Sequence, residues 1–159
     1  MSTKLKHIRI TQVAWHQAKN QLSEVRTQVF INEQQVPHEL EWDALDESAQ
    51  HLLVVDEQSN AVACARLLNN GSIGRMAVVK NMRRLGIGSA LLNKAIGFYA
   101  QQGLQTITLS AQLHAVSFYE KAGFVVTSQP YLDANILHVD MQLSVLGNSL
   151  WHCKLLKPC

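Results

Sequence analysis

A short segment with two glycines follows an apolar run and precedes a stretch with helical periodicity. Residues 83–88 read Arg-Arg-Leu-Gly-Ile-Gly. Glycines at alternate positions tolerate backbone angles that turn successive N–H groups inward, and they let a ligand approach the main chain. The following helix adds unpaired N–H groups and the positive end of its dipole, and two arginines add full charges. The segment predicts a phosphate-binding loop formed by Arg83, Arg84, Gly86, Ile87, Gly88 and Ser89.

The same segment also has a simpler interpretation. Gly-x-Gly before a helix is often only a tight strand-to-helix turn, with its arginines in solvent. The spacing lacks the third glycine of G-x-G-x-x-G and the Gly-Lys-Ser/Thr that ends a P-loop. Neither a dinucleotide-binding fold nor a P-loop is therefore predicted.

Three segments, taken in order, resemble the GNAT family of acetyl-CoA-dependent N-acetyltransferases. They are residues 73–79 (Ile-Gly-Arg-Met-Ala-Val-Val), 83–92 (with Arg-x-x-Gly-x-Gly) and 117–124 (Ser-Phe-Tyr-Glu-Lys-Ala-Gly-Phe). In that family an Arg/Gln-x-x-Gly-x-Gly/Ala loop binds the CoA pyrophosphate, and a Phe-Tyr-x-x-x-Gly-Phe segment carries a tyrosine near the thioester. The resemblance covers residues 8–143. It implies acetyl-CoA as co-substrate and acetyl transfer, by direct attack, to a primary amine of a small molecule or peptide.

The resemblance also assigns roles to individual residues. Met76, Ala77 and Val78 occupy the strand whose main-chain N–H groups face the pantetheine and the acetyl oxygen in the family. His114 stands roughly where many members carry an asparagine near the pantetheine. Tyr119 matches the tyrosine that protonates the leaving thiolate, a role suited to a phenol with a pKa of about 10. The alternative for Tyr119 is a core aromatic that buries its ring.

The general base is the least determined of the predicted roles, because GNAT proteins place it variably and some use water. Glu33 lies in Glu-Gln-Gln-Val-Pro, after the first predicted helix, in the region that lines the acceptor site across the family. The segment is similar to one in small bacterial members of unassigned substrate. We predict Glu33 as the base, with a solvated loop carboxylate as the equal alternative. The reserve candidates are His51, Glu41, Asp43 and His138.

Two residues near the loop depart from the family pattern. Lys80 stands where many members have proline, and Arg84 where many have glycine. Arg84 would either add a contact to the pyrophosphate or the adenosine 3′-phosphate, or stiffen the loop at a cost in fit. Both effects on CoA affinity remain open.

Length and composition limit the class of protein. A chain of 159 residues, 47% of them hydrophobic, predicts one domain over residues 1–159, with a core of about 8–143 and a tail of 144–159. A net charge of +2 gives no case for nucleic acid. Without an apolar run of about 18 residues or a secretion signal, we expect a cytoplasmic protein with no membrane partner. The uneven positions of Cys64, Cys153 and Cys159 do not indicate a disulfide framework. His152, next to Cys153, lacks the spacing of a metal site, so no metal is predicted.

The elements that must position these groups follow from hydrophobic periodicity. Their predicted order is β, α, β, β, β, α, β, α, β, β. In the first helix Leu22, Val25, Val29 and Phe30 form the apolar side and Arg26 lies on the other. A crossover helix would make the strand after it parallel to the strand before it. The segments are 7–13, 18–30, 52–56, 61–68, 72–79, 89–102, 106–110, 115–122, 124–127 and 136–143. The five acids of the stretch 39–47 either draw a cationic amine toward the cleft or simply lie in a solvated loop with room for one helical turn, and the solvated loop is favoured.

The fold class predicted is α/β with a mixed, mostly antiparallel sheet and helices on both faces, the element order of the GNAT family. Two other functions stay open at this point. One is a non-catalytic acyl-CoA-binding module, and the other is an interaction protein that uses a sheet edge and the tail around Trp151. A homodimer is compatible with the sequence, but no apolar stripe requires one.

Overall fold

Eight strands and four α-helices lie between residues 7 and 145, the part of the chain described by the computed structural model. The strands are β1 (Arg9–Ala14), β2 (Gln50–Val55), β3 (Ala61–Leu67), β4 (Ser72–Val78), β5 (Thr106–Gln112), β6 (Val125–Val126), β7 (Tyr131–Asp133) and β8 (Ile136–Ser144). The helices are α1 (Trp15–Arg26), α2 (His38–Glu41), α3 (Ile87–Gln101) and α4 (Val116–Glu120). The predicted element order is confirmed, α2 being the helical turn of the acidic stretch, and β7 is an addition.

The strands form one mixed sheet in the order β1-β2-β3-β4-β5-β8-β6, with β7 paired to β8. Each neighbouring pair within residues 7–145 is antiparallel except β4 and β5. These two strands are parallel because α3 carries the chain back to the starting edge between them. The mixed, mostly antiparallel sheet predicted from the sequence is confirmed.

Helices cover both faces of the sheet at its centre. All seven residues of β3 are buried, and successive strand residues point to opposite faces. Both α1 and α3 pack against β3, so each covers one face. The hydroxyl of the buried Tyr99 on α3 lies 2.7 Å from the carbonyl oxygen of Leu68 and fastens the helix to the end of β3.

The turn between β3 and β4 requires glycine. Gly71 has a φ of +90°, and a Cβ there would lie 2.7 Å from Leu104 and 3.0 Å from the carbonyl oxygen of Thr106. A side chain would therefore collide with the start of β5. This close approach brings β5 against β4 at the foot of the opening described below.

The first helix differs from its prediction. It begins at Trp15 and continues at Thr27 as a π-helix that ends at Glu33, and π-helical turns often occur at functional sites. Arg26, predicted on the solvent side, is only 1% exposed. The prediction was wrong because helical periodicity shows which residues are polar, and not which polar residues meet partners from another segment.

The partners of Arg26 come from the acidic stretch. Its Nε donates to Glu41 at 2.6 Å and its Nη1 to Asp46 at 2.7 Å, while its guanidinium lies 4.7 Å from the ring centroid of Trp42 and 5.6 Å from that of Trp15. Glu41 and Asp46 are 3% and 2% exposed. The interpretation of 39–47 as a solvated loop is therefore wrong for these two carboxylates, which are buried because arginines neutralise them.

Two further arginines complete this group of charges. Arg66 on β3 donates to Asp43 at 2.7 Å and to Asp46 at 3.1 Å, and Arg75 on β4 lies 3.2 Å from Glu41. Three positive and three negative side chains thus connect α1, the acidic stretch and the sheet. We call this group the buried ion cluster after its four buried members, Arg26, Glu41, Asp46 and Arg66; the partly exposed Asp43 and Arg75 complete it at its edge.

Some sequence predictions fall outside residues 7–145. They concern the tail from 146 onward, with Trp151, His152, Cys153 and Cys159. Cys64 lies on β3 as expected and is buried with a free thiol. Among the described helices, none combines the length and apolar character that crossing a bilayer demands.

Candidate functional site

A cleft of about 1280 Å³ opens where β4 and β5 separate. The two strands pair only at Ser72 with Thr108 and at Ile73 with Leu109. Beyond these pairs the edge of β4 that faces β5 has no strand partner among the described residues. Apart from the Val78 carbonyl, which accepts from Arg83, its N–H and C=O groups are available to an extended ligand. The cleft is bounded by β4 and β5, the start of α3, α4, the π-helix, and the β7–β8 hairpin.

A bulge shapes the β4 wall of the cleft. Between the pairs Arg66–Gly74 and Cys64–Ala77 the register shifts by one residue, and Arg75 has a φ of +48°. A β-bulge re-aims the strand locally and often lies beside a functional site. Met76, Ala77 and Val78, the strand residues predicted to face the pantetheine, line the cleft.

The glycine loop forms the floor at one end of the cleft. Gly86 precedes α3 with a φ of +81°, in the left-handed region that favours glycine. The first helical hydrogen bond runs from Ala90 N–H to the Gly86 carbonyl, so the N–H groups at the start of α3 are left for a ligand. The predicted loop residues that line the cleft are Arg83, Arg84, Gly86, Gly88 and Ser89.

Ile87 is the exception among the predicted loop residues. Its side chain is fully buried in the core, so Ile87 can contribute only main-chain atoms to a ligand. Gly88, the next residue, would place a Cβ 3.4 Å from the ring of Phe118 and 3.9 Å from Val78. The cleft is therefore narrow at this point, and glycine keeps it open.

Glu33 and Arg83, predicted for different roles, form an ion pair across the cleft. Both arginine Nη atoms donate to the Glu33 carboxylate at 2.6 Å, and Arg83 Nε donates to the Val78 carbonyl at 2.8 Å. Hydrogen bonds from Arg83 hold the pKa of Glu33 below its usual range. A carboxylate with a lowered pKa is a weaker base, so the base role of Glu33 stays a prediction that this pairing opposes.

The ion pair leads to a prediction for CoA binding. Because Glu33 occupies the guanidinium that a pyrophosphate would contact, Glu33→Gln should tighten acetyl-CoA binding by up to about 5-fold, the equivalent of an exposed pair worth at most about 1 kcal/mol. Titration calorimetry of the variant and the unaltered protein measures this. Weaker binding by the variant would show instead that Glu33 holds Arg83 in a binding position.

The Glu33→Gln variant also tests the base role directly. If Glu33 is not the base, the pH dependence of kcat should be the same in both proteins. A profile displaced to higher pH in the variant would restore Glu33 as the base.

Tyr119 faces the β4 wall from α4. Its hydroxyl lies 3.8 Å from the Sδ atom of Met76, a weak acceptor that a ligand could replace. Burial raises the pKa of Tyr119 to about 12. The pKa of about 10 expected from the sequence is thus corrected upward, because the surrounding apolar side chains disfavour the phenolate.

The opposite wall is polar and lies on β5 and β8. Ser110, Gln112, His114 and His138 line the cleft there, and Gln112 donates to the amide oxygen of Gln34 at 2.7 Å. The amide pair joins this wall to the residue after the π-helix. His114, predicted near the pantetheine, is thus a residue of the cleft.

The reserve base candidates separate into two groups. His51 is buried against the ring of Trp15, with Nε2 2.9 Å from the carbonyl oxygen of Asp46, and burial lowers its pKa. Glu41 and Asp43 belong to the buried ion cluster. Of these four side chains, only His138 lines the cleft and also lies outside the buried ion cluster and its contacts.

Sequence reasoning missed several residues of the cleft. Gly74 lines it, and a Cβ there would meet no atom within 4 Å. The sequence signal for Gly74 was its position after an apolar residue in a predicted strand, since an isolated strand glycine indicates a bulge or close approach of a ligand. Ser110, which lines the cleft, and Tyr131 on β7, which contacts Ser110, carried no signal of their own.

Comparisons with known proteins agree with this geometry. The family model described as an acetyltransferase (GNAT) domain matches residues 17–145. An uncharacterized N-acetyltransferase of Bacillus subtilis, YjcF, is 34% identical over 120 residues, which cover 74% of this chain and 86% of that protein.

Solved structures show the same fold. An acyl-CoA N-acyltransferase from Pseudomonas aeruginosa is 29% identical, with a TM-score of 0.76 over 85% of this chain and 98% of that one. Escherichia coli ElaA superposes with a TM-score of 0.77 at 24% identity, over 85% and 98% of the two chains. From the extent of the family match and the identity to its relatives, this chain belongs to the GNAT family of acyltransferases, whose members use acyl-CoA.

Proposed function

We propose that this protein is an acetyl-CoA-dependent N-acetyltransferase that acetylates a primary amine of a small molecule or peptide. The observation that carries the proposal is the separation of β4 and β5 directly beside the open N-terminus of α3. The opening exposes a strand edge, and the helix start offers N–H groups to phosphate. A phenol on α4 faces the same strand edge.

The residues present fit CoA. A Cβ at Gly88 would narrow the loop against Phe118, so the absence of side chains there leaves space beside the N–H groups of α3. Arg84 and the N–H groups that follow Gly86 would hold the pyrophosphate, with Arg83 joining once it leaves Glu33. The open edge of β4 would orient the pantetheine and donate to the acetyl oxygen. When bound, acetyl-CoA supplies an activated acetyl thioester.

Tyr119 would stabilise the leaving sulfur by a hydrogen bond. A thiol has a pKa of about 8.5, so full transfer of a proton from a phenol with a pKa of about 12 would be uphill by about 5 kcal/mol. Donation of a hydrogen bond to the developing thiolate needs no such transfer. We therefore assign Tyr119 as a donor that stays protonated.

Tyr119→Phe should lower kcat by about 10- to 30-fold, since a hydrogen bond to a charged group contributes about 1.5–2 kcal/mol. The KM for acetyl-CoA should change little, because the contact strengthens only as charge develops on sulfur. The Tyr119 hydroxyl is lost as a donor only when the pH rises through about 12, so kcat should not fall on this account below about pH 11. Steady-state kinetics measures both effects, and an unchanged kcat would remove Tyr119 from the mechanism.

Two measurements test the proposed function. Calorimetric titration with acetyl-CoA comes first, followed by thiol release with a panel of ethylamine, spermidine, glucosamine, a free amino acid and a peptide with a free N-terminus. Binding together with amine-dependent thiol release is the expected result. Failure to bind acetyl-CoA contradicts the proposal, and binding without turnover of any amine favours a non-catalytic acyl-CoA-binding module.

A further inference from the structure

Three polar side chains from three strands form a hydrogen-bonded chain that begins in the cleft. Ser110 on β5 contacts the hydroxyl of Tyr131 on β7. The Tyr131 hydroxyl donates to Asp140 Oδ1 on β8 at 2.6 Å. Because an ionised carboxylate only accepts, the phenol proton belongs to the bond with Asp140, and Ser110 must donate to the phenol oxygen. The lone pairs of the Ser110 hydroxyl are then free to accept a proton from the cleft.

The chain begins at the point where the two central strands separate. Ser110 follows Leu109, the last residue of β5 that pairs with β4, and it lines the cleft together with Gly74 and Tyr119. A nucleophile attacking a carbonyl held on the β4 edge would approach from this side. This approach would bring the nitrogen of the nucleophile near the Ser110 hydroxyl.

The far end of the chain is anchored and reaches solvent. Asp140 lies directly opposite Ser110 in the β5–β8 register. Its N–H donates to Ser128 Oγ at 2.8 Å, and its carbonyl accepts from Thr127 N–H at 2.8 Å. The residue itself is exposed, so a proton that reaches the carboxylate can pass to water.

We propose that Ser110, Tyr131 and Asp140 form a proton relay that removes a proton from the acceptor nitrogen during acetyl transfer. The inference rests on the proposed function and deepens it, because it assigns the path of the proton. In the balanced step the amine forms the C–N bond, and the C–S bond breaks with its electron pair on sulfur. The nitrogen gives one proton to Ser110, whose own hydroxyl proton moves to Tyr131, while the Tyr131 proton moves to Asp140.

Other groups around the relay are compatible with this role. The His138 ring on β8 stacks against Tyr131 at 6.1 Å between centroids, and its Nδ1 lies 2.7 Å from the Ile136 carbonyl. Asp133 on β7 is a second nearby carboxylate, while β5 and β6 carry no titratable side chain. Burial and the hydrogen bond to Asp140 raise the pKa of Tyr131, so its phenol passes a proton on rather than remaining ionised.

Glu33, the base predicted from the sequence, has a different environment. It is held by Arg83 at 2.6 Å on the other wall, whereas Asp140 receives its hydrogen bond from a group that is itself part of a chain into the cleft. If Asp140 is the final proton acceptor, its substitution should slow turnover of the amine, whereas substitution of Glu33 should not.

The test compares Asp140→Asn and Tyr131→Phe with Glu24→Gln as the control, because Glu24 is an exposed carboxylate on α1 outside both the cleft and the chain. Two probes are used with acetyl-CoA: the best amine of the panel above, and hydroxylamine, which is already neutral at pH 7 and whose adduct loses its proton without help. Turnover without protein is subtracted.

For the panel amine, kcat should fall by about 100-fold in Asp140→Asn and by about 10-fold or more in Tyr131→Phe. For hydroxylamine each relay variant should lose less than about 5-fold, and Glu24→Gln should behave as the unaltered protein with both probes.

The results distinguish failure of the relay from failure of the proposed function. Equal losses with both probes, or no loss with the panel amine, overturn the relay while leaving the proposed function intact. Lack of turnover of every panel amine by the unaltered protein contradicts the proposed function itself and the relay with it. A slope of log kcat against pH that is steeper in Asp140→Asn than in the unaltered protein supports the relay, since hydroxide then replaces the lost acceptor, and identical slopes oppose it.

Discussion

Leucine in place of Gly88 is expected to weaken acetyl-CoA binding by at least about 100-fold. A Cβ at this position already meets the ring of Phe118 at 3.4 Å, so the rest of the leucine side chain must enter the loop that receives the pyrophosphate. Loss of two charge-assisted hydrogen bonds, each worth about 1.5 kcal/mol or more, accounts for the size of the effect. Titration calorimetry with acetyl-CoA measures it.

Two further variants of α3 serve as controls for this prediction. Gly88→Ala should fold and should gain up to about 1 kcal/mol of stability, because alanine favours a helix over glycine. Asn93→Leu places a leucine on the exposed face of α3, outside the residues that line the cleft, and it should keep acetyl-CoA affinity within about 3-fold of the original. Normal affinity in Gly88→Leu would place the CoA site elsewhere.

Methionine in place of Arg26 is expected to lower the free energy of unfolding by about 3–5 kcal/mol. The substitution leaves Glu41 and Asp46 buried without the guanidinium that contacts both at 2.6 and 2.7 Å. At about 2–4 °C for each kcal/mol, Tm should fall by about 6–20 °C. Urea and thermal unfolding measure the change.

The pH dependence and a surface control sharpen the Arg26 prediction. Burial already raises the pKa of Glu41 although three arginines oppose the shift, and removal of Arg26 should raise it further. An acid whose pKa is higher in the folded state than in the unfolded state stabilises the fold as pH falls, so the stability deficit of the variant should shrink under acidic conditions.

Arg9→Met, on the exposed surface of β1, should change stability by less than about 0.5 kcal/mol. A similar loss in both variants would contradict the role of the buried ion cluster.

Local patterns in the sequence were enough for the order of strands and helices, apart from the short β7, and for the position of the glycine loop. The alternation of residues 7–13 and the stripe of Leu91, Leu92, Ala95 and Ile96 report neighbours within one strand or a few helical turns. Gly86 could be recognised because its backbone conformation is a local property that few other residues adopt. The parallel pairing of β4 and β5 followed from the crossover helix between them.

The chemistry of the charged and hydroxyl side chains was decided by the tertiary structure. Arg26 meets Glu41 across 15 residues, Ser110 meets Tyr131 across 21, and Glu33 meets Arg83 across 50. A periodic pattern shows that each of these residues is polar, but its partner depends on how the acidic stretch, the π-helix and the β7–β8 hairpin pack on the sheet. Burial and hydrogen bonding then set each pKa, so the same residue type becomes a structural ion, a paired carboxylate or the end of a proton path according to contacts that no short segment contains.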